Sequence, residues 1–276
     1  MTGLAIREVA ERTGLAAGTI RMWEQRYGFP APERTPAGYR LYSAEDVETL
    51  KRVLTLRESG LSVPAALERA RAAARATGQP SIFGALPTAG RTRLLRKRSL
   101  VALSRAIEDE TLARAVRPVV LGAFQRERHY RAVEHRYRRL AAAADAAVVL
   151  ADFASPREPA GAPAEVPCEP DAAIRHEWAV VVDAPGYAVC LVAWEPPVRH
   201  PPRADADRAF EAFWTLDPAL VRQAAQAGAS VAAVTAPAVG ERVDALLARR
   251  PVNGDPALPV LEALMTRMLE YLEPAS

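Results

Sequence analysis

The segment Thr19–Gly28, TIRMWEQRYG, decides how the first part of this chain folds. Arg21, Arg26, Trp23 and Tyr27 crowd into ten residues. A core segment does not hold two guanidinium groups, and a plain solvated face seldom holds an indole and a phenol. A short helix with one face in and one face out reconciles them. Helical spacing from about Ala17 to Arg26 turns Ile20 and Trp23 inward while Thr19, Arg21 and Arg26 project elsewhere. Gly28 and Pro30 stop it. The preceding IREVAERTG places Ile6, Val9 and Ala10 at helical spacing, and Gly14 closes that helix where a left-handed residue is needed. Two short helices joined by a tight turn make a helix-turn-helix, whose second helix enters a DNA major groove.

Working outward, the tract Pro30–Gly38 is turn-rich and GYRLY alternates like a strand, which predicts a two-stranded wing. Ser43 then caps a helix, with Asp46 as the acidic third residue of a capping-box-like start. That helix presents Val47, Leu50, Val53, Leu54 and Leu56 to a core. Gly60 ends it, and Ser62 opens a further Ala-rich helix with Pro64 tolerated in its first turn.

The whole chain of 276 residues is long enough for about two domains. Its net charge of +3 conceals an asymmetry. Residues 1–80 carry 12 Lys+Arg against 9 Asp+Glu, residues 81–140 carry 14 against 5, and residues 141–276 carry 10 against 19. A basic front and an acidic rear accord with nucleic-acid contact at one end, or with arginine-rich helices that are simply solvated. The N-terminus has charged residues where a signal peptide is apolar, and apolar runs such as AAAADAAVVLADFA fall short of the roughly 20 residues a membrane span needs. Cys168 and Cys190 are too few for a disulfide framework. A cytoplasmic location is the expectation, without membrane association.

The stretches AIREVAERTGLAAGTIRMWE and GFPAPERTPAGYRLYSAEDVETLKRVLTLRESGLSV resemble the winged helix-turn-helix of the MerR family of bacterial transcription regulators. The resemblance covers about the first 75 residues, with TIRMWE on the second helix and GYRLYS at the wing as its signatures. WEQRYG is most similar to the light-responsive, cobalamin-binding branch. That branch uses an Asp-x-His-x-x-Gly motif, and none of His129, His135, His176 or His200 sits in one. Clustered cysteines of the metal-sensing members are also lacking, so neither cobalamin nor a soft metal is expected as effector, and no cofactor is assigned.

The resemblance implies double-stranded promoter DNA as partner, a homodimer, and RNA polymerase as a further partner. Arg21 and Arg26 suit base edges and phosphates, where a guanidinium fork binds bidentately. Thr19 and Arg21 are the candidates for sequence reading. Trp23 packs one face into the domain and directs its N–H toward the DNA backbone. By resemblance Arg40 and Tyr42 grip flanking phosphates from the wing, with Arg34 assisting and Tyr39 beside them. The competing reading makes Tyr27, Tyr39 and Tyr42 core aromatics and the arginines solvent-facing.

Composition shifts at residues 78–98: GQPSIFGALPTAG reads as a linker, and RTRLLRKR as a basic run that touches phosphate or starts the next domain. From residue 99 to 276 helices and strands alternate. SLVALSRAIEDETLARA reads as an amphipathic helix, PVVLGAFQ as a strand, RERHYRAVEHRYRRLAAAA as one basic helix and AAVVLADFA as a buried strand. After a Pro-rich excursion, EWAVVVDAPGYAVCLVAWE reads as a hairpin turning at APG, apolar on both faces and so covered on both. RAFEAFWTLDPALVRQAAQAG gives a last strand and a helix, and DPALPVLEALMTRMLEYLE a final helix. The fold class is therefore multi-domain: a helical winged helix-turn-helix at residues 1–77, then an α/β domain with a mixed sheet and flanking helices.

Within that second part, LSRAIEDETLARAVRPVVLGAFQRERHY, EWAVVVD, LVAWE and AFEAFWTLDPALV are similar to the DICT sensory domain, over roughly Leu100 to Gln226. This implies signal input, from a small molecule or linked to light, without naming the ligand. Phe124, Tyr130, Trp178, Trp194 and Trp214 are the candidates to line a pocket; the alternative is that they are core. Asp183 and Glu195 read as strand ends. No nucleophile elbow, phosphate-cradling Gly loop or His-x-x-x-His pair is present, and His129 and His135 are six apart, which does not stack them on one helix face. An enzyme is not expected. The main alternatives to a sensing regulator are a DNA-binding adaptor whose second domain recruits a protein partner, and a DNA-tethered enzyme.

A coiled coil after the winged domain needs several apolar heptads, and the helix from Ser62 gives way at TGQPSIFGALPTAG. A dimer interface is therefore expected in residues 91–276. The terminal helix, with Leu258, Leu261, Leu264, Met265, Met268 and Leu272, is the candidate, unless it caps its own domain's core.

Overall fold

The computed structural model describes residues 3–35, 38–58, 80–86, 88, 91–170, 172–196, 204–252, 254 and 258–273, with residues 63, 66, 67 and 70. The helix stop read at Gly60 and the start read at Ser62 and Pro64 lie outside the described residues. The chain divides into two compact units, Met1–Gly78 and Gln79–Ser276.

In the first unit α1 (Ile6–Thr13) and α2 (Ala17–Tyr27) follow the sequence reading closely. Gly14 and Gly28 each sit at positive φ, 73° and 64°, and each returns its N–H to the carbonyl four residues back. Both helices therefore end because a residue without Cβ adopts the left-handed conformation without strain. β1 (Glu33–Arg34) and β2 (Arg40–Leu41) pair antiparallel as the wing, and Tyr42 continues into a backbone bridge with Leu4. Ser43 caps α3 (Ala44–Glu58): the Asp46 N–H donates to the Ser43 hydroxyl at 3.0 Å and the Ser43 N–H donates to the Asp46 carboxylate at 2.9 Å. Val9, Ile20, Trp23, Phe29, Tyr42, Val47, Leu50 and Val53 form one buried core, with Leu54 and Leu56 partly buried at its margin.

The second unit is built on a seven-stranded mixed sheet. Its strands are β3 (Arg93–Arg96), β4 (Val119–Phe124), β5 (Ala146–Ala151), β6 (Ala164–Pro167), β7 (Glu177–Ala184), β8 (Tyr187–Trp194) and β9 (Ala209–Thr215). They lie in the order β3-β9-β8-β7-β4-β5-β6. β4, β5 and β6 run parallel, and the remaining neighbours are antiparallel. α4 (Ile82–Ala85), α8 (Pro218–Thr235) and α9 (Pro237–Ala248) cover one face. The other carries α5 (Lys97–Arg114) and α10 (Leu258–Leu272) over β7 to β9, and α6 (Glu127–Arg131) and α7 (Glu134–Ala143) over β4 and β5. This is why the β7–β8 hairpin is apolar on both faces. Its two-residue turn is Pro185–Gly186, with Gly186 at φ 72°.

Several readings need correction. The stretch taken as a linker is largely structural: Ile82 and Leu86 lie in the main core, and Arg93–Arg96 is an edge strand of the sheet. Glu177 in β7 fastens this segment, accepting from the Ser81 hydroxyl and from the Ile82 and Phe83 N–H groups at 3.0 Å. The single basic helix is two helices broken at Ala132–Val133, and four of its six arginines, Arg126, Arg131, Arg136 and Arg138, pair with carboxylates. Arg131 reaches Glu127, Glu134 and the buried Glu165, and Arg136 reaches Glu108 and Asp109. The Pro-rich excursion contains β6, and α9 follows α8 directly at Ala236–Pro237. Asp183 and Glu195 are more than strand ends. Asp183 is buried against Arg222, and Glu195 accepts from Arg208 and Gln125. No helix of the described residues is long and apolar enough to cross a membrane.

Candidate nucleic-acid interface

α2 has an inner side and an outer side. Ile20 and Trp23 are buried, Trp23 to 1 % exposure, and Tyr27 is half-buried beside them. Arg21, Met22, Gln25 and Arg26 are exposed, Thr19 is half-exposed, and nothing lies within 4 Å of where a Gly18 side chain would begin. The outer face therefore offers two guanidinium groups, an amide, a thioether and a hydroxyl with small residues at its start. The Arg26 guanidinium lies 5.7 Å from the Tyr27 ring centre, which steadies its stem against the helix.

The wing adds a second cationic element. Arg34 and Arg40 are directly opposite in the β1–β2 register, an arrangement in which like charges repel. Arg40 is held by Glu24 of α2: its Nε lies 2.9 and 3.2 Å from the two carboxylate oxygens. Glu24 thus ties the wing to the second helix and offsets the repulsion. At the tip, Thr35 and Tyr39 close the hairpin through Thr35 N–H to the Tyr39 carbonyl at 2.9 Å, and Tyr39 itself is 73 % exposed.

Of the eight residues predicted to meet DNA, the structure leaves Thr19, Arg21, Arg26, Arg34 and Tyr39 accessible, with Arg40 partly so. It corrects two. Trp23 and Tyr42 belong to the core, and the Tyr42 ring has no exposed surface from which to touch a phosphate. Burial pushes the Tyr42 phenol up, helped by Glu24 and opposed by Arg40 and Arg21, which places both arginines in its electrostatic neighbourhood. Met22 and Gln25 were missed, although the same period that buries Ile20 and Trp23 turns them outward.

The five aromatics read as pocket lining do not converge as a set, although the β4–β7 register places Phe124 opposite Trp178. Phe124 and Tyr130 pack edge to face at 5.7 Å in a cluster with Tyr137 and Phe153. Trp178 meets Phe210 at 6.1 Å and donates its indole N–H to Ser104 at 2.9 Å. In the β7–β8 register Trp194 lies opposite Glu177, one residue from the Trp178 pair, so the pleat sends it to the other face. Trp214 stands on β9, 41 % exposed. The residues that line two described grooves are different. One, of about 700 Å³, runs between α5 and α10 past Glu110, Arg114, Glu262 and Arg267; the other, of about 340 Å³, lies beside β6.

The chain is similar to known proteins in two separate stretches. Residues 4–72 match the family described as MerR HTH family regulatory protein. Residues 82–196 match DICT, described as a sensory domain in diguanylate cyclases and two-component systems. The HTH-type transcriptional repressor CarA of Myxococcus xanthus is 47 % identical over 70 residues, covering 25 % of this chain and 24 % of the relative. The repressor CarH of the same organism is 45 % identical over 58 residues, 21 % of this chain and 19 % of the relative. The HTH-type transcriptional regulator YfmP of Bacillus subtilis is 45 % identical over 58 residues, 21 % of this chain and 41 % of the relative. The chain thus spans a quarter or less of the length of the first two and about two fifths of the third. All three are named as regulators of transcription rather than as enzymes.

Proposed function

Since the chain carries a MerR-type helix-turn-helix domain followed by a DICT sensory domain, we propose that it is a one-component regulator that binds promoter DNA through the first and takes a signal through the second. The observation that carries this reading is the outer face of α2, with Arg21, Met22, Gln25 and Arg26 exposed above a buried Ile20 and Trp23. Such a face reads base edges when the helix lies in a major groove. The wing supplies the phosphate contacts that set register: Arg34, Arg40 and Tyr39 lie on a hairpin linked to α2 by the Arg40–Glu24 pair. Two copies bind an operator of two half-sites, because a protein two-fold matches a DNA two-fold.

The sensing role rests on the DICT match. Of the second unit's aromatics, Phe124 and Trp178 lie opposite each other with Tyr130 against Phe124, whereas Trp194 points to the other face of the sheet. Footprinting of the full chain on DNA from its own upstream region tests the first half of the reading. Protection of two half-sites about one helical turn apart, lost in Arg21→Ala, is the expected result. No protected site on any promoter fragment would reject it.

A further inference from the structure

The terminal helix α10 carries an apolar face about twice as wide as its own domain uses. Leu264 and Met268 are buried against α5 and the β8–β9 surface. Leu258, Met265, Leu269 and Leu272 are exposed by 71, 59, 62 and 43 %. At 100° per residue these four fall within an arc of about 60°. Leu261, half-buried, lies between that arc and the buried side. The exposed part amounts to several hundred Å² of apolar surface, on the scale that marks an interaction site on a monomer.

The spacing of that stripe is palindromic. Leu258 and Leu272 are seven residues either side of Met265, and Leu261 and Leu269 are four either side. A two-fold axis through Met265, relating two antiparallel helices, puts Leu258 against Leu272 of the second copy and Leu261 against Leu269. Met265 then meets its own counterpart. Every apolar residue of the stripe finds an apolar partner at its own level, which is the self-complementarity an isologous interface requires. In this antiparallel pairing Glu262, at the border of the stripe, lies level with Met268 of the second copy rather than with its own counterpart. A stable dimer needs about 800 Å² per partner. The stripe supplies about half of that as an apolar centre, with the flanking polar residues of α10 as the rim.

We propose that α10 is a homodimerisation helix, pairing antiparallel with α10 of a second copy about Met265. This deepens the reading above by naming what brings two DNA-binding units to one operator. The test uses no DNA, so either can fail without the other. Sedimentation of the full chain at micromolar concentration is expected to give a dimer, and Met265→Glu and Leu269→Glu are expected to give monomers with unchanged circular dichroism. Because both side chains are largely exposed, these substitutions leave the fold of the monomer intact. In parallel, mild oxidation of Met265→Cys should yield a covalent dimer. Glu270→Cys on the polar side of the helix should yield no more than the wild-type background from Cys168 and Cys190. A monomeric wild-type chain, glutamate variants that remain dimers, or a dimer that Met265→Cys fails to cross-link would each overturn the proposal.

Discussion

Glu24 sets the behaviour of the wing arginine. Its carboxylate holds the Arg40 Nε, leaving that guanidinium aimed by the pair rather than free to sample rotamers. Glu24→Gln keeps the shape but loses the charge, so Arg40 gains mobility and the Arg34–Arg40 repulsion is no longer offset. We expect weaker binding to every duplex, by about 1 kcal/mol, without a change in base preference. Fluorescence anisotropy on specific and scrambled duplexes checks this, and a change confined to the specific duplex would show that Glu24 acts in sequence reading.

A second residue-scale prediction concerns Glu195. Burial raises its pKa, but the Arg208 hydrogen bonds and charge, with Gln125, outweigh burial and the net direction is down. A carboxylate depressed in the folded state contributes stability above its unfolded value, and that contribution is lost as pH falls through the folded pKa. In Arg208→Ala burial is opposed only by Gln125 and the smaller contribution of His176, so an ionised Glu195 now opposes folding. The destabilisation of Arg208→Ala should therefore be larger at pH 7 than at about pH 3. Urea unfolding at the two pH values reads it, and an equal loss at both would dismiss the pairing as a source of stability.

Among the elements, those with a local physical signal were legible in the sequence. Gly14 and Gly28 as left-handed stops, the Ser43–Asp46 cap and the Pro185–Gly186 turn each follow from one or two residues. Elements that depend on distant partners were not. β3 reads as a basic run because an exposed edge strand needs no apolar alternation, and Leu94 is 69 % exposed. α4 is hidden in a Gly/Pro tract because its capping partner, Glu177, lies 95 residues away from Ile82. The same distinction applies at the interface. Helical period announces the outward residues of α2, whereas the Glu24–Arg40 pair spans 16 positions and needs the hairpin's return to exist. Tyr42 was misassigned because a tyrosine in a wing strand points to either face, and the backbone bridge of Tyr42 with Leu4 places it inward.

The packing of α7 on β4 offers a test at this scale. Gly122 lies under Tyr137, and an added Cβ would stand 2.8 Å from its ring. Gly122→Ala therefore forces Tyr137 out of place in the cluster with Phe124 and Tyr130. We expect a loss of about 1–3 kcal/mol, read as a lower midpoint for the second unit in thermal melts. An unchanged midpoint would mean that the cluster has slack where the structure shows contact.

At the scale of the whole molecule, the two units divide the labour along the line of their chemistry. The first has a small core and presents cationic groups on α2 and the wing, with others on α1 and α3. The second has a large two-sided sheet whose arginines are mostly engaged with carboxylates. The cations of residues 81–140 stay exposed or half-buried even where they pair with carboxylates, so the DNA reading proposed for α2 and the wing rests on their geometry and not on charge alone. The most direct test is a salt titration of binding by the full chain and Arg21→Ala, on the footprinted operator and on a scrambled duplex. The account predicts that Arg21→Ala loses about 1–3 kcal/mol on the operator and little on the scrambled duplex, with both proteins binding more weakly as salt rises. Equal losses on both duplexes, or a wild-type chain that does not distinguish them, would contradict it.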